Sequence, residues 1–359
     1  MHAQELRLLV RLVAGDHAGA GPLLADRPGE LDRLAVACGR AGLAVVLLRA
    51  LAGSPLVAQL GPERMAWLRE RQASQAARQQ EMVGALADLA DRFARDHQPF
   101  ILLKGPYLAA RLYGDPLGRE YADLDLLVPA ADRARAGQLL GQAGYELRSR
   151  TPLGAGLTSR FVHAFDFTRG RANVDLHFAL SRHPALRLDE DRLWARHRSF
   201  ALGGRRFVVL ADEDEVIFAA LSFLRDMERG RPKPKNAIDL VMLAKATDAD
   251  LAWDALLGAS DGTAGPLGNV LALCLDVAAA RDLAPRLAEA LDRHRHRLVP
   301  FSAGDSPFHF APMRLGLGNR LWSARTYDTN LAAHLGWWAL SLPFRMAVHR
   351  RPGGRARRP

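Results

Sequence analysis

The stretch ILLKGPYLAARLYGDPLGREYADLDLLV, residues 101–128, decides the fold. PFILLK, residues 99–104, is a short continuous apolar run of the kind that fills a buried strand. PYLAARLYG follows, with Pro106 placed for a first helical turn and Gly114 for the position past the last. DPLGREY reads as a loop and ADLDLLV as a second strand. That strand carries two acids, Asp123 and Asp125, in an otherwise apolar run. Residues i and i+2 of a strand share a face, so both carboxylates project one way while Leu124 and Leu126 project the other. Two anions side by side in a partly buried site repel, and one would take up a proton unless a cation held both. A divalent ion resolves that conflict, and hard carboxylate oxygens suit magnesium in company with substrate phosphates.

Working outward, ADRARAGQLLGQAG returns a helix ending at Gly144, and YELRSR reads as a further strand. FVHAFDFTRGRANVDLHFAL, residues 161–180, has two alternating runs around Arg169-Gly170-Arg171, the pattern of a β-hairpin with glycine at its turn. The second arm sets Asp175 between Val174 and Leu176. If that arm pairs beside the Asp123 strand, three carboxylates converge, enough for two metal ions ~3.5–4 Å apart in an in-line phosphoryl displacement. FVVLADEDEVIFAALSFLRDM adds a short strand and a helix with acids in its first turn. Residues 1–95 are helical in period, as is the chain from Gly230 to residue 294, whereas 295–330 are rich in Pro, Gly and Ser. The expected organisation is α+β: a helical region over 1–95, a small mixed-sheet core over 96–211, a helical region over 212–344 and a basic tail over 345–359.

Composition narrows the classes of function. An apolar fraction of 49% and a charged fraction of 25% are those of an ordinary globular chain. Cys38 and Cys274 stand far apart without metal-ligand spacing, which favours neither a disulfide framework nor a zinc site and points to a reducing, cytoplasmic compartment. Glu5, Arg7 and Arg11 interrupt what would have to be the apolar core of a signal peptide, and no uninterrupted span reaches ~18 apolar residues, so neither secretion nor membrane spanning is expected. The formal charge is +10, but six arginines lie within the last fifteen residues, and without them +4 remains. A solvated terminus is the plain reading of that tail, with adhesion to anionic lipid or nucleic acid as the alternative. Lysine is rare: Lys104, Lys233, Lys235 and Lys245 stand against 45 arginines. Where it persists, a compact point charge is wanted in place of a planar fork.

The order LLKG, RLYGDP, R-x-x-x-D-L-D-L-L-V, a helix ending in GY, and V-D-L-H resembles the bacterial uncharacterised nucleotidyltransferase group of the DNA polymerase β-like nucleotidyltransferase superfamily. The resemblance covers roughly residues 95–245. It implies a small mixed sheet with flanking helices, two magnesium ions, and transfer of a nucleoside monophosphate from an NTP, ATP being the expected one, to an acceptor hydroxyl. Carried over, Asp123 and Asp125 would bind both ions, and Asp175 would complete the second site and help activate the acceptor. The acceptors it implies are a small molecule, a peptide natural product or a protein. One departure from the superfamily stands out: its members usually have Gly-Ser or Gly-Gly at the first helix start, where this chain has Lys104-Gly105-Pro106, as the LLKG pattern of the resembled group also does. Gly105 still permits close approach of a phosphate, and Lys104 would substitute for the missing hydroxyl as a phosphate-binding charge.

Further candidates follow from position. Arg119 is a second candidate for phosphate, against an ordinary loop salt bridge. His177 shares a face with Asp175 and would orient a ligand or acceptor, or else be a satisfied core-edge histidine. Lys235 and Asp239 lie one helical turn apart, the spacing of an intrahelical ion pair, and nucleotide contact is the alternative. Trp337 and Trp338, followed by Phe344, Arg345, Arg350 and Arg351, read as core packing, with peripheral contact to a membrane as the other use. Two readings from other classes compete with the enzyme: a catalytically inactive nucleotide-binding regulatory protein of the same fold, and a nucleic-acid binder acting through the basic tail.

Overall fold

The apolar run before Lys104 and the D-L-D-L-L run after it pair with each other and begin a five-stranded mixed sheet. The computed structural model describes residues 1–25, 29–149, 154–230, 232–299, 325–327 and 336–342. The basic tail, Phe344, Arg345, Arg350, Arg351 and most of residues 295–330 lie outside the described residues.

Helices α1 (Ala3–Val13), α2 (His17–Ala25), α3 (Glu30–Ala41), α4 (Ala44–Leu51) and α5 (Pro62–Arg95) precede the sheet. The core then runs β1 (Ile101–Leu102), α6 (Pro106–Tyr113), β2 (Leu124–Leu127), α7 (Arg133–Gln142), β3 (Glu146–Leu147), α8 (Gly154–Thr158), β4 (Ala164–Arg169) and β5 (Ala172–His177). After α9 (Glu190–Ala195) comes a separate hairpin of β6 (Arg198–Leu202) and β7 (Arg205–Val209). Helices α10 (Asp212–Glu228), α11 (Pro234–Thr247), α12 (Trp253–Leu257), α13 (Ala264–Ala278) and α14 (Pro285–Arg293) follow.

The sheet order is β1-β2-β5-β4-β3, with β2 and β5 parallel and the other pairings antiparallel. Its two faces differ. Leu124, Leu126, Phe165, Phe167, Val174 and Leu176 point into the main core, which also takes in Met82, Leu86, Leu89 and Phe93 of α5 and Leu139 and Leu140 of α7. The α5 residues recur at helical spacing, so one stripe of this 34-residue helix covers the sheet. On the opposite face, Leu127 joins Ile101, Leu103, Leu180, Leu210 and Phe218 in a smaller apolar cluster under α10. The rest of that face is polar and open, and it holds the acids.

The main core continues from Leu6 and Leu9 of α1 to Leu287 and Leu291 of α14. Arg11 fastens α1 to the turn before α14 through Asp282, 2.7 Å from Nη2. The hairpin at 198–209 turns on Gly203-Gly204, both at positive φ, the two-residue turn that only such residues make without strain. Its first strand was not read from the sequence, where FVVL stood as a lone strand; the Gly-Gly pair was the signal. No helix among the described residues is long and apolar enough to cross a membrane.

Candidate active site

Parallel pairing of β2 with β5 sets Asp125 directly opposite Asp175. Pairing of β4 with β5 sets Asp166 opposite Asp175 on the other side. The same faces carry Asp123 and His177, so Asp123, Asp125, Asp166, Asp175 and His177 line one cleft of about 160 Å³ together with Lys104. Asp166 was not among the sequence candidates. The signal was present: with Gly170-Arg171 as the loop and Arg169 paired to Ala172, counting back along the hairpin pairs residue 166 with residue 175.

Gly105 builds the edge of this cleft. Its φ of +73° with ψ of −126° is a conformation that L side chains avoid, and a Cβ there would meet the carbonyl oxygen of Asp123 at 3.3 Å. The turn therefore brings Lys104 over β2, where its Nζ lies 3.0 Å from Asp125 Oδ1. The Nε2–H of His177 donates to the same oxygen at 3.0 Å. Asp125 is 1% exposed, and its Oδ2 has no hydrogen-bond partner. Nδ1 of His177 is likewise buried and unpartnered. A buried carboxylate oxygen without a partner is costly and calls for a ligand.

The electrostatics follow from this crowding. Burial alone would raise the Asp125 pKa, but the Lys104 ammonium and the His177 hydrogen bond reverse it, and the group stays ionised well below the usual carboxylate range. Asp175 goes the other way: burial, then Asp123, Asp125 and Asp166, push its carboxyl well above that range. Burial would lower Lys104, but Asp125, Asp123 and Asp175 outweigh it and hold the ammonium charged. Burial lowers His177 and favours the neutral ring, against the pull of Asp125. Two adjacent carboxyls with opposite shifts are the signature of a site that expects a cation.

Basic residues whose place sequence reasoning missed, Arg182, Arg225, Arg229 and Lys233, line the same cleft together with Asp226 and Glu228. Arg225 donates to the Leu180 carbonyl at 2.9 Å and to Ser222 Oγ at 2.8 Å; burial, then Arg229, pulls it down to about 10. Nε of Arg182 is buried without a partner. Among 45 arginines no pattern marks these. An aromatic rim completes the cleft: Trp337 stacks on Phe161 with ring centroids 5.7 Å apart, and Tyr327 on His183 at 3.8 Å. Trp337 and Trp338 thus line the acidic cleft, half-buried.

Three sequence candidates lie apart from it. Arg119 and Asp239 form a buried pair, 3% and 4% exposed, with Nε to Oδ2 at 2.7 Å and Nη2 to Oδ2 at 2.5 Å. Tyr113 donates to Asp239 Oδ1 at 2.8 Å, and Gln79 to the Arg119 carbonyl at 2.5 Å. Asp239 therefore pairs across the fold with Arg119, where the sequence suggested Lys235. Lys235 sits nearby, donating weakly to the Glu120 carbonyl at 3.4 Å, and burial followed by Arg119 brings it down to about 8.

The donor set fits a hard divalent cation. Asp125, Asp175 and His177 can each bring one ligand atom within 4.8 Å of the others, and Asp125 Oδ2 is already stripped of other partners. A family model described as "Uncharacterised nucleotidyltransferase" matches residues 28–279. The match takes in the helices from α3 to α13 as well as the sheet. A search of the curated proteins finds no match.

Proposed function

We propose that this chain, which belongs to the uncharacterised nucleotidyltransferase family, moves a nucleoside monophosphate from an NTP, with ATP the expected donor, to a hydroxyl of a small molecule, a peptide or a protein. The observation that carries the reading is the register of Asp125 with Asp175, which leaves one oxygen of Asp125 buried and unsatisfied beside a second, protonatable carboxyl. Asp123, Asp125 and Asp175 would hold magnesium. When bound, the ion supplies positive charge to these carboxylates and to the phosphates of the nucleotide.

The chain's own groups divide the remaining work. A triphosphate carries several negative charges, and Arg182, Arg225, Arg229 and Lys233, which line the same cleft, would receive it. Transfer requires the acceptor oxygen on the far side of the α-phosphorus from the leaving pyrophosphate. The acceptor would lie on the β4 side of Asp175, toward Asp166 and the Phe161–Trp337 stack. Asp175, between the two, takes the hydroxyl proton as the new phosphorus–oxygen bond forms and pyrophosphate leaves.

The test uses NTPs labelled at the α- or the γ-phosphate, added with magnesium to the full chain and a cell extract. Label from the α-position is expected to enter an acceptor, γ-label to leave as pyrophosphate, and Asp125→Asn to abolish both. Transfer of γ-label to the acceptor, or full activity in Asp125→Asn, would overturn the reading. Tight nucleotide binding without release of pyrophosphate would favour the regulatory alternative.

A further inference from the structure

We infer that Lys104 holds the place of one of the two divalent ions, so that the chain works with a single metal ion and its own ammonium. The inference deepens the nucleotidyl-transfer reading and rests on it. By the resemblance, Asp123 and Asp125 would each give oxygens to both of two metal ions ~3.5–4 Å apart. Asp125 is flanked by Asp123 on its own strand and by Asp175 across the parallel pair.

Only one of its oxygens remains for a metal. Oδ1 is already taken twice, by Lys104 Nζ at 3.0 Å and by His177 Nε2 at 3.0 Å. Oδ2 is buried and unpartnered. A second ion at Oδ1 would have to displace the ammonium 3.0 Å from it, or else sit in contact with it and be repelled.

The backbone keeps Lys104 where it is. Gly105 turns the chain at positive φ, and Leu103 donates its N–H to the Asp125 carbonyl at 3.0 Å, so the lysine is tied at its base to the strand whose acid it neutralises. An ammonium has three donors and Asp125 uses one, which leaves donors for an oxygen of the α-phosphate. A lysine suits the task where an arginine would not: its charge is a compact point, as an ion's is, and this chain uses only four.

The experiment counts metal. The full chain is saturated with a non-hydrolysable α,β-methylene ATP analogue, and bound manganese is measured per bound nucleotide by equilibrium dialysis and electron paramagnetic resonance. One ion per nucleotide is expected for the native chain. Lys104→Met should take up a second, spin-coupled ion, doubling the count. Two ions in the native chain would overturn the inference and leave nucleotidyl transfer standing. A Lys104→Met protein that binds one ion as tightly as the native chain would also overturn it. Failure to bind both manganese and the analogue would remove the transfer reading and the inference together.

Discussion

This molecule holds two buried ion pairs, and the cation of each drew attention in the sequence as a phosphate contact. In Arg119–Asp239 every oxygen is used: Oδ1 by Tyr113 and Arg119 Nε, Oδ2 by Arg119 Nε and Nη2. In Lys104–Asp125 one oxygen is shared by two donors and the other by none. Both acids are almost fully buried. The difference lies in spare valence. A saturated pair ties α11 to the loop before β2 and has nothing left to offer a ligand, whereas an unsaturated one has paid its desolvation cost and still lacks a partner.

Breaking each pair should therefore give opposite results. The largest effect is on chemistry: Asp125→Asn should lower pyrophosphate-releasing transfer by at least about 10²–10³-fold. Next comes Asp239→Ala, which leaves Arg119 buried and uncompensated at a cost of about 3–5 kcal/mol. Denaturant titration reads that loss, and replacing both Arg119 and Asp239 by apolar residues of similar size should recover most of it. Recovery of transfer in the equivalent double replacement of Lys104 and Asp125 would erase the contrast.

The third effect is pH-linked. Asp175 titrates above its unfolded value, so its share of stability is present below about pH 4, where an ordinary carboxyl titrates, and is lost as pH rises through the raised value. Asp125 titrates below its unfolded value, so its share is present above that range and is lost as pH falls toward strong acid. On the proposed reading, bound magnesium would relieve the crowding at Asp175, and the thermal shift it produces should grow from acid to neutral pH. In Asp175→Asn that growth should flatten, and an unchanged slope would show that the carboxyl is not the group responsible. Smallest is the rim: Trp337→Ala should lose about 0.5–1.5 kcal/mol of stacking with Phe161, measured as the coupling in a double-mutant cycle. Zero coupling would detach the 336–342 segment from the cleft.

The residues themselves determined a good deal. Period-two alternation around Asp123, Asp125 and Asp175 is local information, and so is the hairpin turn at Gly170; together they were enough to expect three acids on neighbouring strands. Hairpin arithmetic would have added Asp166, because register across a two-residue loop is also local. The fold class and the family followed from the same motifs and the apolar runs between them.

What the sequence by itself could not determine is which charged groups meet across long loops. Arg119 finds Asp239 at a separation of 120 residues, and Arg225 reaches the cleft of the acids only because α10 crosses the polar face of the sheet. Such pairings depend on how helices pack, and an arginine in a helix carries no mark of the face it will meet. Tertiary packing alone decided that Asp239 is saturated and Asp125 is not. Spare valence is a property of a carboxylate's surroundings in space, and the spacing of residues along a chain does not encode it.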